Sequence, residues 1–96
     1  MPAYILAEIE ITNPDGYKDY TKLVPATIEK FGGRFLHRGG PAHALEGEAL
    51  PERRRVIIEF PNAQTARDWW ASTEYAEAKA MRQANSNGRL TLFEGL

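Results

Sequence analysis

The side chains with chemical reach in this 96-residue chain are tyrosines, arginines and glutamates, because cysteine is absent. Without a thiol there is no disulfide framework, no thiolate nucleophile and no thiolate metal site. His37 and His43 are the only histidines. They stand six residues apart, and no neighbouring carboxylate pattern completes a metal site, so both read as structural or surface residues. No metal is expected, and haem chemistry lacks a convincing axial ligand beyond these two. Arg53-Arg54-Arg55 is a short basic run that strand alternation divides between two faces. With a net charge of −1, the chain has no basic excess of the kind nucleic-acid binding requires. Gly32-Gly33 and Gly39-Gly40 are too short for a dinucleotide or phosphate-loop fingerprint and read as turns.

The aromatic residues carry more. Trp69 and Trp70 are adjacent, and adjacent helical positions point about 100° apart. One therefore packs on the core while the other faces a groove or a partner. Tyr17, Tyr20 and Tyr75 add aromatic edges with hydroxyls. A cleft walled by Tyr17, Tyr20, Trp70 and Tyr75, with Arg38 or Glu59 at its base, would suit a small organic molecule. In it Arg38 or Arg89 would hold an anionic group, and Glu59 or Glu8 would be the base. No nucleophile stands beside a base, so the catalytic residue is unassigned, with Glu59 and Arg38 as the candidates. The competing expectation is an aromatic core cluster whose hydroxyls find local partners. A ligand site calls for a closed cavity of about 300 Å³ or more; a purely structural module predicts one too small for anything but water.

Positioning these groups falls to a regular series of elements. In residues 4–11, Ile5, Ala7, Ile9 and Ile11 alternate with Tyr4, Leu6, Glu8 and Glu10, the pattern of a strand. Asn13 as cap, Pro14 at the first helical position and Asp15 in the first turn open a helix. It carries Tyr17, Tyr20, Leu23, Val24, Ile28 and Phe31 at helical spacing, and Gly32-Gly33 ends it. An interior proline costs roughly 3 kcal/mol, so a kink or restart is expected near Val24-Pro25. Arg34–Arg38 is a second strand, followed by a connection with room for a short extra strand around Ala44-Leu45-Glu46. Arg54–Phe60 is a third strand, with Val56, Ile58 and Phe60 on one face. Asn62 caps a helix holding Ala63, Ala66, Trp69 and Trp70, which breaks near Ser72 and resumes through Tyr75, Ala78 and Met81. Asn85-Ser86-Asn87-Gly88 signals a turn before a last strand over Arg89–Glu94.

The order β-α-β-β-α-β predicts an α+β fold: a ferredoxin-like sandwich, one four-stranded antiparallel sheet with helices on a single face. Residues 1–96 then make one domain. Ile5, Ala7, Ile9, Ile11, Val56, Ile58, Phe60, Leu90 and Leu92 fill the helix side. The opposite face shows Tyr4, Leu6, Leu36, Ile57 and Phe93 beside Glu8, Glu10, Arg38, Arg55, Glu59 and Arg89, too apolar for a solvated surface. Burying each large side chain contributes about 1.5–3 kcal/mol, and a second copy packed sheet to sheet is the economical cover. About 800 Å² per partner is typical of specific association. Pairing Glu10 with Arg55, and Glu8 with Ile57, keeps carboxylates apart and is the expected register. The remaining charges either line a cavity or pair as ions.

Hydrophobic residues at 43% and aromatics at 10% argue against disorder. No apolar run approaches membrane-spanning length, and Met1-Pro2-Ala3-Tyr4 lacks the basic-then-apolar start of a leader. A soluble, cytoplasmic protein without a membrane partner is therefore expected.

A wider pattern runs through these elements: Tyr17-x-x-Tyr20, Pro25, Gly32-Gly33-Arg34-Phe35-Leu36, Arg38-Gly39-Gly40, Leu45-Glu46-Gly47, Glu59-Phe60-Pro61, Trp70, Ser72-x-Glu74-Tyr75 and Gly88-Arg89. Taken in order, it resembles the domain of unknown function 1330 family from about Ala3 to Leu96. Thr73 stands where that family would carry proline, and threonine after the Ser72 cap still starts a helix. The resemblance implies a ferredoxin-like subunit of a dimeric α+β barrel. That superfamily includes cofactor-independent monooxygenases, haem-degrading enzymes and lactone isomerases, and fold by itself transfers none of these activities. Positions matching the pattern and chemically capable are Tyr17, Tyr20, Arg38, Glu46, Glu59, Trp70, Tyr75 and Arg89. The expectation is a homodimer that binds a small molecule without a cofactor, with catalysis of cofactor-independent monooxygenase or isomerase type left open, or else a dimerisation module with no ligand.

Overall fold

The computed structural model describes residues 1–95. Alternation in the first segment produces β1 (Ala3–Ile11), with Ile5, Ala7 and Ile9 buried on one side. Helix α1 (Pro14–Lys30) follows, then β2 (Arg34–Arg38), β3 (Arg54–Phe60), α2 (Ala63–Trp70), α3 (Thr73–Asn85) and β4 (Ser86–Glu94). The strands form one antiparallel sheet in the order β2-β3-β1-β4. The apolar stripe of α1 (Tyr17, Tyr20, Val24, Ile28) packs with Ala66 and Trp69 of α2 and Tyr75 and Ala78 of α3 against Ile5, Ile9, Ile58 and Phe60. This is the ferredoxin-like α+β arrangement.

The caps show why the helices begin and end where they do. The Asn62 side chain accepts from the Thr65 amide at 2.8 Å, and Ser72 accepts from the Tyr75 amide at 3.1 Å, so α2 and α3 are separate helices. Behind α1, Gly32 takes a φ of 75°, where a side chain would be strained. The Gly32 and Gly33 amides donate back to Glu29 and Ile28, closing the helix with a reversed last turn. Asn13 occupies the cap position of α1 without a side-chain cap bond; its amide donates instead to Asn85 Oδ1 at 2.9 Å.

Four expectations need correction. Helix α1 does not restart near Val24-Pro25 but runs through Pro25 as one element. The missing amide of Pro25 leaves the Thr21 carbonyl without its helical donor, and Arg38 Nη2 supplies a replacement at 3.1 Å. The 44–46 segment is no strand but part of an exposed connection, with Leu45 fully exposed. The turn expected at 85–88 is absent because Asn85 ends α3 and Ser86 starts β4 directly. The Asn85 carbonyl accepts from the Thr12 and Asn13 amides at 3.0 and 3.1 Å, stitching that corner to the start of α1 without a loop. Finally, Arg55 faces Glu8 and Ile57 faces Leu6, a slip of two residues from the expected register. Such a slip preserves which side each residue faces, and it sets Glu8 opposite both Arg55 and Arg89.

Candidate functional site

A bulge in β2 decides what the site contains. Phe35 faces Ile58, but His37 faces Ile57 and Arg38 faces Val56, the register shifting between Phe35 and His37. One residue too many on β2 turns Arg38 to the side of Val56, away from the open face expected for it. There its guanidinium lies 4.5 Å from the centre of the Phe35 ring and reaches the Thr21 carbonyl.

Arg38 thereby joins a cavity between α1 and the sheet. Tyr17, Tyr20, Thr21 and Val24 wall it from α1, Ile9, Phe35, Val56 and Ile58 from the sheet, and Trp69 from α2, with Arg54 and Arg82 as further charged members. Its volume is about 30 Å³, far below the 300 Å³ expected of a preformed pocket and enough for roughly two waters. A larger space of about 320 Å³, between α2 and β4, is an open groove lined by Trp70, Arg67, Leu90 and Leu92.

The polar groups behind the cavity are linked. Tyr20 and Tyr75 share a hydrogen bond between hydroxyls at 3.1 Å, and Arg82 Nε donates to the Tyr75 hydroxyl at 3.3 Å. Tyr75 is fully buried and stacked on Trp69 at 4.1 Å between ring centres. Trp69 Nε1 donates to Thr27 Oγ1 at 3.0 Å. Burial, then the neighbouring Tyr75, pushes the Tyr20 phenol well above its ordinary value, so it is a neutral donor or acceptor at any physiological pH. Burial also raises Tyr17, against the opposing charges of Arg54 and Arg82.

The expected site residues fall into three places. Tyr17, Tyr20 and Arg38 meet at the cavity, with Tyr75 behind Tyr20. Glu59 and Arg89 lie on the open face, where Arg34 Nε donates to Glu59 at 2.7 Å and Arg89 Nη2 to Glu8 at 3.1 Å. Glu59 and Glu8 therefore lie away from this cavity, which no carboxylate lines among the described residues. Trp70 is 45% exposed and Trp69 fully buried, so Trp69, not Trp70, forms the wall; Trp70 carries Lys79 Nζ over its ring at 4.0 Å. Glu46 sits in the exposed connection. His37 Nε2 is buried without a partner among the described residues, and no group of three metal-ligating side chains occurs among them.

Arg54 and Arg82 were not anticipated, although their signals were present. Arg54 continues the alternation of Val56, Ile58 and Phe60, and Arg82 extends the Tyr75-Ala78 stripe by four residues, the spacing of one helix face. Gly39 completes the arrangement. With φ 72° and no side chain, it lies against the Arg54 guanidinium, which a Cβ there would strike.

A helix-covered sheet with a tyrosine- and arginine-lined cavity on the covered side defines a ferredoxin-like α+β protein. The chain belongs to the domain of unknown function (DUF1330) family, matching it over residues 2–96. No curated protein matches it in sequence. Among solved structures, a protein of unknown function from Rhodopseudomonas palustris is similar at TM-score 0.79 and 21% identity, over 99% of this chain and 82% of that one. A dimeric ferredoxin-like protein of unknown function from Jannaschia sp. CCS1 is similar at TM-score 0.71 and 14% identity, over 99% and 100%. SnoaB, a cofactor-independent oxygenase from Streptomyces nogalater, is similar at TM-score 0.68 and 14% identity, over 99% and 93%. At these identities the likeness is one of fold. No helix among the described residues is long and apolar enough to cross a membrane.

Proposed function

We propose that the chain is a single-domain homodimer that closes its open sheet face against a second copy and binds a small organic molecule at the helix-side cavity. The observation that carries this reading is the meeting of Tyr17, Tyr20, Arg38, Arg54 and Arg82 at one cavity that no carboxylate lines among the described residues. Tyr17 and Tyr20 are the walls, and Arg38, itself solvent-exposed, marks the mouth. Glu59, Arg89 and Glu8 serve the dimer face, where ion pairs frame half-buried Tyr4, Leu6 and Ile57 and exposed Leu36 and Phe93. The dimeric Jannaschia protein of the same fold supports the assembly. The fold of SnoaB lends a cofactor-independent oxygenase as the reaction to assay first.

Thr21→Trp fills the cavity from α1 and supplies the test. Mass spectrometry of the wild-type protein after gentle purification detects a bound organic molecule that the filled variant lacks. The cavity's small volume favours a second reading, a dimerisation module with no ligand. That reading stands, and the first falls, if neither co-purified material nor a panel of small organic molecules binds the wild type differently from Thr21→Trp.

A further inference from the structure

Charge is satisfied differently on the two sides of the sheet. On the exposed side, Arg34 and Arg89 are each paired with a glutamate, and Arg55 donates to the carbonyls of Pro51 and Arg53. On the covered side, Arg38, Arg54 and Arg82 have no acidic partner among the described residues. Arg38 is exposed and bonds the Thr21 carbonyl, but Arg82 is only 6% exposed, and the one hydrogen bond its side chain donates among the described residues runs from Nε to a neutral phenol. A guanidinium carries five donors, and burying an uncompensated charge is costly. Stability alone would not place a lone cation at Arg82.

Resting on the reading of the cavity as a small-molecule site, we infer that its ligand is an organic carboxylate whose anionic group is held by Arg54 and Arg82. A volume of about 30 Å³ matches a carboxylate head in place of about two waters. The remainder of the molecule lies at the mouth, against Arg38, Phe35 and Thr21. Planar guanidinium forks suit a carboxylate through paired N–H donors. Tyr17, in the same lining, carries a hydroxyl that can supply a further donor. Gly39 is the backbone position that leaves the Arg54 guanidinium its space.

The experiment compares acetate and benzoate with the isosteric neutral acetamide and benzamide, titrated by NMR into wild type, Arg54→Met and the exposed control Arg53→Gln. The expected result is carboxylate binding at least tenfold tighter than amide binding, lost at least tenfold in Arg54→Met and kept in Arg53→Gln. Arg54→Met should melt no lower than the wild type, which separates lost binding from lost structure. Equal binding of acids and amides overturns the anionic assignment while leaving the small-molecule reading standing. Unchanged carboxylate affinity in Arg54→Met overturns the placement at Arg54. No binding of any probe overturns the carboxylate assignment, while the small-molecule reading stands or falls on the co-purified material and the Thr21→Trp comparison.

Discussion

Arg38 Nη2 donates at 3.1 Å to the carbonyl of Thr21, the oxygen that Pro25, four residues later in α1, has no amide to serve. A defect in one helix is thus made good by a residue of β2, and the repair holds a guanidinium at the rim of the cavity. Replacing Pro25 with alanine restores the helical donor. In the natural background Arg38→Met should cost about 1 kcal/mol, the net value of one such bond. In a Pro25→Ala background it should cost close to nothing, a coupling readable from a urea double-mutant cycle. Equal cost in both backgrounds refutes the relationship.

Alkaline stability follows from two of the buried phenols, Tyr20 and Tyr17. The unfolded chain releases the Tyr20 proton above its ordinary pKa of 10.0, whereas the folded chain, whose value is raised, retains it. The contribution is therefore complete below about pH 10 and lost as pH climbs beyond, by up to about 1.4 kcal/mol per pH unit for one phenol. Tyr17 acts in the same direction. Tyr20→Phe should cost about 1 kcal/mol at neutral pH through its lost bond to Tyr75, and flatten part of the alkaline decline. Urea midpoints between pH 7 and 11 decide; an unaltered slope contradicts the account.

The proposed dimer would close over the half-buried row across β3, β1 and β4. Leu6→Lys or Ile57→Lys places an ammonium where the second sheet should lie, and either should weaken association at least a hundredfold with the subunit still folded. Sedimentation equilibrium measures this directly. A wild-type chain that sediments as a monomer at micromolar concentration contradicts the dimer itself.

The adjacent tryptophans should separate cleanly. Trp69→Ala removes a fully buried ring stacked on Tyr75 and should cost about 3–5 kcal/mol. Trp70→Ala removes an exposed ring and one cation–π contact to Lys79, costing under about 1 kcal/mol. Similar losses from thermal or urea melts would contradict the assignment of Trp69 to the interior.

Much of the architecture was legible because it rests on local physics. Alternation located β1 and β3, while Asn62 and Ser72 revealed their helices through side-chain caps. The half-apolar open face was visible for the same reason. The register was not, because a slip of two residues keeps every side chain on its own face, and Glu8 is settled jointly by β3 and β4. The turn expected at Asn85-Ser86-Asn87-Gly88 failed because Asn85 bonds Met81 one helical turn back and, through its carbonyl and side-chain oxygens, Thr12 and Asn13, partners remote in sequence. The candidate cavity was half legible: Tyr17, Tyr20 and Arg38 were named from the sequence and line it, yet Arg38 was expected on the other side of the sheet. No glycine or proline marks the bulge at Leu36, so nothing local announced that Arg38 would change sides.

That irregularity in β2 makes the contents of the cavity a matter of register. Were Leu36 to pair with Ile57, His37 would fall opposite Val56 and Arg38 opposite Arg55, setting two guanidiniums against each other on the outer layer. By looping out a single leucine the strand avoids that repulsion and delivers one of the two cations to the cavity rim.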